Sequence, residues 1–196
     1  MTTLDFYDRH AASFDERTRH MDMRPWMQPF IDRLRAGAKI LDVGCGPGRD
    51  VQTFRDLGFD AAGIDGSHAM VELARTIAPT AIIEHISFDK IEFVDAFDGI
   101  WANASLLHVP ADQIDDVMHR LARALRIGGV MYMSVKAGDG ARIHNDRRFF
   151  YDYSDSSLRA LFSRNFNFEL IGVDESPPGH AQSDQKSWLH ALARKR

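Results

Sequence analysis

The sequence predicts an α/β fold: a doubly wound, mostly parallel seven-stranded sheet with helices on both faces and an antiparallel last strand. Three observations predict it. Short apolar runs alternate with helix-patterned segments, the rhythm of parallel strands joined by helical crossovers. The run Lys39–Val43 passes directly into a loop with three glycines, in KILDVGCGPGRD. The chain closes on two strand-like runs with no helical pattern between them, and such runs pair antiparallel.

The 196 residues suit one domain with a core large enough to need no staples. The single cysteine, Cys45, rules out an intrachain disulfide framework and fits a reducing compartment. No apolar run approaches the roughly 18 residues of a membrane span, and the first residues lack a signal-peptide core, so the expected location is cytoplasmic with no membrane partner. A net charge of −4 argues against a nucleic-acid footprint. Arg142, Arg147 and Arg148 form a local basic cluster, read as a solvated face or a small anionic subsite.

The elements follow in order. Residues 4–36 carry Phe6, Tyr7, Phe14 and Trp26 at helical spacing. The Arg24-Pro25 step breaks that pattern, and Pro25 opens a second helix to about Ala36, ended by Gly37. These aromatics either pack on the main domain or form a lid with Tyr7 or Phe14 in a site. Lys39–Val43 is the first strand. Residues 50–57 are helical, with Val51, Phe54 and Leu57 on one face and Gly58 as the stop. Residues 59–64 form the second strand, ending at Asp65. Ser67 caps a helix to Ile77, stopped before Pro79. Residues 80–85 form the third strand, 86–95 a loop and 96–101 the fourth strand. A second functional-looking loop spans 103–110. In 111–125, Ile114, Val117, Met118, Leu121 and Leu125 share one helix face. Gly128-Gly129 turns the chain into the fifth strand, 130–135. Residues 136–153 read as a long polar and aromatic loop. Ser154 or Asp155 caps a helix to about Phe162. Residues 168–173 and 187–193 are the closing strands, joined by a Pro-Gly-rich connection. One domain results, with 1–37 as a helical lid segment, 38–135 as the core and 136–196 as a loop with closing strands.

Chemistry concentrates where the first strand hands over to a helix. Gly44, Gly46 and Gly48 permit a tight turn and close ligand approach, and the helix start beyond offers free N–H groups. Asp65 lies 17 residues after Gly48 at the end of the second strand, where a carboxylate reaches both hydroxyls of a ribose. Together these point to a nucleoside ligand. The spacing is G-x-G-x-G, with Pro47 in the loop and Asp42 on the strand, whereas a dinucleotide fingerprint reads G-x-G-x-x-G.

The stretch LDVGCGPG resembles the first motif of class I S-adenosylmethionine-dependent methyltransferases. Gly63-Ile64-Asp65-Gly66-Ser67 with Met70 resembles the second motif. Phe97 to Trp101 through Leu106-Leu107-His108 resembles the fourth. Leu125 to Val130 resembles a Leu-Lys-Pro-Gly-Gly stretch, with Ile127 in place of the proline. The likeness covers roughly residues 38–135 and extends, within the family, to small tellurite-resistance-type and metabolite methyltransferases. It implies a Rossmann-like sheet and S-adenosyl-L-methionine as donor, with S-adenosyl-L-homocysteine as product. It also implies roles by position. Gly44, Cys45, Gly46 and Gly48 would face the methionyl part, and Asp42 its amino group. Asp65, with Gly66, would hold the ribose, Ser87 and Phe88 would flank adenine, and Asn103 and Ala104 would lie near the sulfonium. The loop around Arg24 would add contacts to the donor carboxylate. Cys45 reads as packed and inert, since no thiolate-stabilising neighbour is identifiable.

Methyl transfer needs alignment more than a catalytic triad. His108 is the candidate base and Tyr7 the candidate wall of an acceptor pocket; the alternative is that His108 only orients its loop. Lys136, Arg148 and Phe150 are candidate acceptor contacts. His144, His180 and the other histidines lack metal-ligand spacing, so no metal is expected. Asn103-Ala104-Ser105-Leu106 is not the Asn-Pro-Pro-Tyr-like pattern of base-amine methylation, and no recognition domain is left over. The expected acceptor is therefore a small molecule methylated on O, N or S (or another chalcogen), acted on by a monomer or homodimer. Two alternatives stay open: a donor-binding module without transfer, and a nicotinamide oxidoreductase, disfavoured by the glycine spacing and the absence of a Tyr-x-x-x-Lys pair.

Overall fold

Alternation within each strand sends side chains to two opposite layers. Leu41 and Val43 enter one apolar cluster with Ile100, Met131 and Met133, while Ile40 enters another with Trp101, Val130 and Tyr132. A sheet buried on both faces needs helices on both. In the computed structural model, which describes residues 2–164, 166–177 and 186–196, those helices are present. α2 (Arg24–Ile31), α3 (Arg49–Asp56) and α4 (His68–Ile77) cover one face through Phe30, Phe54 and Val71. α5 (Ile114–Ala124) and α6 (Asp155–Phe162) cover the other through Met118, Leu121, Leu158 and Phe162.

The sheet comprises β1 (Lys39–Val43), β2 (Asp60–Asp65), β3 (Ile83–His85), β4 (Phe97–Asn103), β5 (Leu125–Lys136), β8 (Phe168–Ser176) and β9 (Trp188–Lys195). Their order is β3-β2-β1-β4-β5-β9-β8. β1 pairs parallel with both β2 and β4, so the winding reverses between β1 and β4. A crevice opens at the carboxyl ends of strands beside such a reversal. β9 runs antiparallel between β5 and β8, as the missing crossover required. α1 (Thr3–Thr18) packs against α4 beyond the end of β2. Its start is fixed by a capping box between Thr2 and Asp5, and it kinks at His10.

Several expected boundaries move. α2 stops at Ile31 rather than near Ala36. Beyond it the N–H groups of Arg33 and Leu34 reach back only three residues, to Phe30 and Ile31. β3 is three residues long, as suits an exposed edge. Gly128-Gly129 lies within β5: Leu125 pairs with Phe97 and Val130 with Gly99, so the intervening residues bulge out, with Ile127 79% exposed. Residues 136–153 are not one loop. β6 (Gly140–Ile143) and β7 (Phe149–Asp152) pair as a hairpin, Arg142 opposite Phe150. Four-residue strands with a polar turn carry too little alternation to stand out. His180 and most of the Pro-Gly-rich connection lie outside the described residues. No helix among the described residues is long and apolar enough to cross a membrane.

Candidate active site

The turn after β1 bends on three left-handed glycines, Gly44 (φ +73°), Gly46 (φ +53°) and Gly48 (φ +87°). They serve different ends. A Cβ on Gly44 would stand 2.5 Å from Ser105 Cβ, so this glycine lets the turn touch the loop after β4. One on Gly48 would stand 3.0 Å from the Ala74 backbone, so this glycine lets α3 approach α4, and it does not line the cavity. One on Gly46 would meet nothing within 4 Å, because that face of the backbone opens on a cavity of about 1410 Å³.

Three carboxylates ring this end of the cavity. Asp65 Oδ2 accepts from Gly46 N at 2.9 Å and Oδ1 from Ser67 N at 2.8 Å, which clamps the glycine turn to the end of β2. Burial nevertheless raises its pKa. Asp42 is 2% exposed, lines the cavity and makes no side-chain hydrogen bond to a described residue. Burial, and then the charge of Asp50, push its pKa well above the ordinary range. Asp50 gathers three donors: Arg49 Nε at 2.7 Å, Trp101 Nε1 at 2.9 Å and Asn103 Nδ2 at 3.0 Å. Asn103 Oδ1 in turn accepts from Ser134 Oγ, which itself accepts from Ala104 N. This network holds Ala104 at φ +55°, a strained value at the mouth of β4. Ser105 Oγ beside Gly44 is buried without a partner among the described residues. Cys45 is buried, and burial drives its thiol pKa up, away from a reactive thiolate.

α1 and the hairpin close the opposite wall. The Phe149 carbonyl can only accept, so His108 Nδ1 carries the proton and donates to it at 2.6 Å. His108 Nε2 is then the acceptor for the Tyr7 hydroxyl at 2.8 Å. Arg148 Nη1 donates to the same phenol oxygen at 3.1 Å, and Arg148 is held by Asp146 and packed against Phe6 and Phe150. Burial lowers His108 to about 4 and raises Tyr7, so both are neutral near pH 7. α1 is tied down further by Ser67 Oγ donating to Asp8 at 2.6 Å and Phe149 N donating to Thr3 Oγ1 at 3.0 Å.

Of the residues named from sequence, Asp42, Gly44, Cys45, Gly46, Asp65, Gly66, Ser87, Phe88, Asn103 and Ala104 line this one cavity, as do Tyr7, His108, Lys136, Arg148 and Phe150. Arg24 does not. It turns to Asp22 at the surface, Nε to Oδ1 2.9 Å, while Arg17 and Arg49 line the cavity instead. Sequence reasoning missed Arg49 and Asp50, although they end the quoted glycine motif. It also missed His190, for which a closing strand offers no signal. Among the described residues no cluster of three His, Cys, Asp or Glu side chains could hold a metal.

Residues 40–129 match the methyltransferase-domain family. The chain is 37% identical over 104 residues to the methyltransferase GfsG of Streptomyces halstedii, covering 49% of this chain and 37% of that protein. It is 32% identical over 137 residues to the malonyl-[acyl-carrier protein] O-methyltransferase of Enterobacter lignolyticus, covering 66% of this chain and 54% of that one. The matched stretch thus spans about a third to a half of these relatives. In fold the chain is similar to Burkholderia thailandensis 1,6-didemethyltoxoflavin-N1-methyltransferase, solved with 1,6-didemethyltoxoflavin and S-adenosylhomocysteine. The TM-score is 0.79 at 22% identity, covering 98% of this chain and 84% of that one. The glycine turn, the first strand from Ile40 onward and the second and fourth strands thus fall in the stretch that matches the methyltransferase-domain family, residues 40–129.

Proposed function

We propose that the chain transfers a methyl group from S-adenosyl-L-methionine to a small-molecule acceptor, at O, N or S (or another chalcogen). One observation carries this: the Gly46 backbone opens on a cavity where Asp42, buried and unpartnered among the described residues, faces inward beside Asp65. A cationic, ribose-bearing ligand suits that pair. Asp42 would neutralise the donor's ammonium group, and Asp65, already fixed by two backbone N–H groups, keeps lone pairs for ribose hydroxyls. Gly44, Gly46 and Cys45 would line the methionyl part, Gly66, Ser87 and Phe88 the nucleoside, and Asn103 and Ala104 the reacting end. When bound, the donor supplies an activated methyl on its sulfonium.

The chain's own contribution is placement and proton handling. Holding reacting groups in line can supply roughly 7–11 kcal/mol of barrier. We assign the acceptor's leaving proton to a relay in which the Tyr7 oxygen takes it as the Tyr7 hydroxyl proton passes to the lone pair of His108 Nε2. Arg148 holds the same phenol, while Lys136 and Phe150 contact the acceptor. In this reading 1–37 is a lid, 38–135 the donor core and 136–196 the acceptor side of one cytoplasmic domain. The test is incubation with methyl-radiolabelled donor and fractionated metabolites. Label should enter a small molecule and fall with Asp65→Ala at limiting donor; donor binding with no transfer to any fraction would contradict catalysis.

A further inference from the structure

The hydrogen bonds around Tyr7 fix where the protons sit on that side of the cavity. The Phe149 carbonyl accepts from His108 Nδ1 at 2.6 Å, while Phe149 N donates to Thr3 Oγ1 at 3.0 Å, so β7 is bonded to the His108 ring and to α1 at once. A carbonyl has no hydrogen to give, so the neutral imidazole carries its proton on Nδ1 and presents a lone pair at Nε2. Tyr7 gives its one hydrogen to that lone pair, at 2.8 Å. Arg148 Nη1, which can only donate, occupies one acceptor position of the same phenol oxygen, at 3.1 Å. That oxygen is left with one acceptor position and no hydrogen, on a side chain that is partly exposed and lines the cavity. The Arg148 charge is itself answered by Asp146, whose Oδ2 accepts from Nε at 3.1 Å and from Nη2 at 2.8 Å.

An acceptor atom that meets this oxygen has to bring a hydrogen, and the same atom needs a lone pair to attack a methyl carbon. A carboxylate has lone pairs and no hydrogen, so it would face the phenol lone pair to lone pair. An ammonium has hydrogens and no lone pair. An amide or conjugated ring N–H has its lone pair drawn into the conjugated system, and a thiol S–H is a weak donor. A neutral hydroxyl and a neutral alkyl amine have both. Burial lowers His108 to about 4, so the end of the relay accepts a proton only from a strong acid. A hydroxyl oxygen gaining a methyl becomes an oxonium, which is such an acid. A methylated alkyl amine becomes an ammonium with a pKa near the roughly 10 of a lysine, and would keep its proton.

We propose that the acceptor atom is the oxygen of a neutral hydroxyl group, an alcohol or a phenol, which donates its hydrogen to Tyr7, and that carboxylates and alkyl amines are not acceptors. The proposal rests on the methyl-transfer reading and narrows its acceptor class. As the oxygen–methyl bond forms, the methyl–sulfur bond breaks and leaves its electron pair on sulfur. The hydroxyl proton moves to the Tyr7 oxygen and the Tyr7 proton to His108 Nε2, so the positive charge lost at sulfur reappears on the imidazolium and the product is a methyl ether. The tautomer is tested by nitrogen-15 NMR of the wild-type protein at pH 7, with the His108 signals identified by their loss in His108→Gln. A protonated Nδ1 and a bare Nε2 are expected; a protonated Nε2 would overturn the proposal, because Tyr7 would then have its hydrogen free for a carboxylate. The acceptor is tested with methyl-radiolabelled S-adenosylmethionine and fractionated metabolites, followed by chemistry on the labelled product. A methyl ether survives mild alkali and yields its label as methyl iodide in hot hydriodic acid, and this is the expected result. Tyr7→Phe should lower the label transferred at least tenfold, with S-adenosylhomocysteine affinity by calorimetry within twofold of wild type as the sign that the variant is folded. Label released as methanol by mild alkali marks an ester, and label released by neither reagent marks methyl on nitrogen or sulfur; either would overturn the proposal and leave methyl transfer standing. Label in no fraction would remove the methyl-transfer reading, and the proposal with it.

Discussion

At Gly44 and Gly46 similar left-handed dihedrals meet opposite surroundings. Gly44→Ala adds strain and a clash with Ser105, so it should destabilise the fold by about 2 kcal/mol or more. Gly46→Ala adds only the strain, about 1 kcal/mol, and should chiefly impair donor binding; thermal melting beside donor calorimetry separates the two. Asp65→Ala should weaken donor binding by about 1–3 kcal/mol, the scale of a lost charged partner. Unchanged affinity would remove the ribose assignment. His108→Ala should lower turnover by about a hundredfold, within the range of acid–base effects, with little change in donor affinity. Wild-type turnover across pH in that variant would remove His108 from the proton path. At this scale the glycine turn and its carboxylate clamp were legible because the turn requires glycine and the second strand ends in Asp65. Asp50 was not, because its value lies in partners 51 and 53 residues away, Trp101 and Asn103. Tyr7 and His108 were each legible as candidates, but their hydrogen bond spans 101 residues and emerges only from the fold.

Among the elements, β9 carries a buried titratable group that lines the cavity. His190 is 6% exposed, and burial lowers it to about 4. Unfolded, it takes up a proton near 6.5, so the unfolded state binds more protons between those values and stability falls as pH drops from 6.5 toward 4. Wild type should therefore lose about 2 kcal/mol more than His190→Gln between pH 7 and pH 5, measured by urea unfolding at each pH. Parallel pH profiles would show that the buried imidazole is not the cause. The parallel strands and their helices were readable because apolar periodicity and caps such as Ser67 and Ser154 are local signals. The β6–β7 hairpin and the early end of α2 were not, because tertiary contact sets them. Phe150 is buried where His108 and Arg142 pack on its ring.

Across the whole molecule, one cavity is lined by Asp42, Asp50 and Asp65 at the β1–β2 end and by Lys136, Trp188 and His190 on β5 and β9. A cationic donor needs Asp42 and Asp65 ionised, and both have raised pKa values through burial. Donor affinity should accordingly fall as pH drops, with a midpoint above the usual 4 or so of a carboxylate, and Asp42→Asn should flatten that dependence. A midpoint at or below 4 would show that these acids do not face the donor's charge. The most direct test of the donor assignment is titration calorimetry of the wild-type chain at pH 8 with S-adenosylmethionine and, separately, with NAD. The expected result is saturable one-to-one binding of S-adenosylmethionine and none of NAD; binding of NAD without S-adenosylmethionine would contradict it.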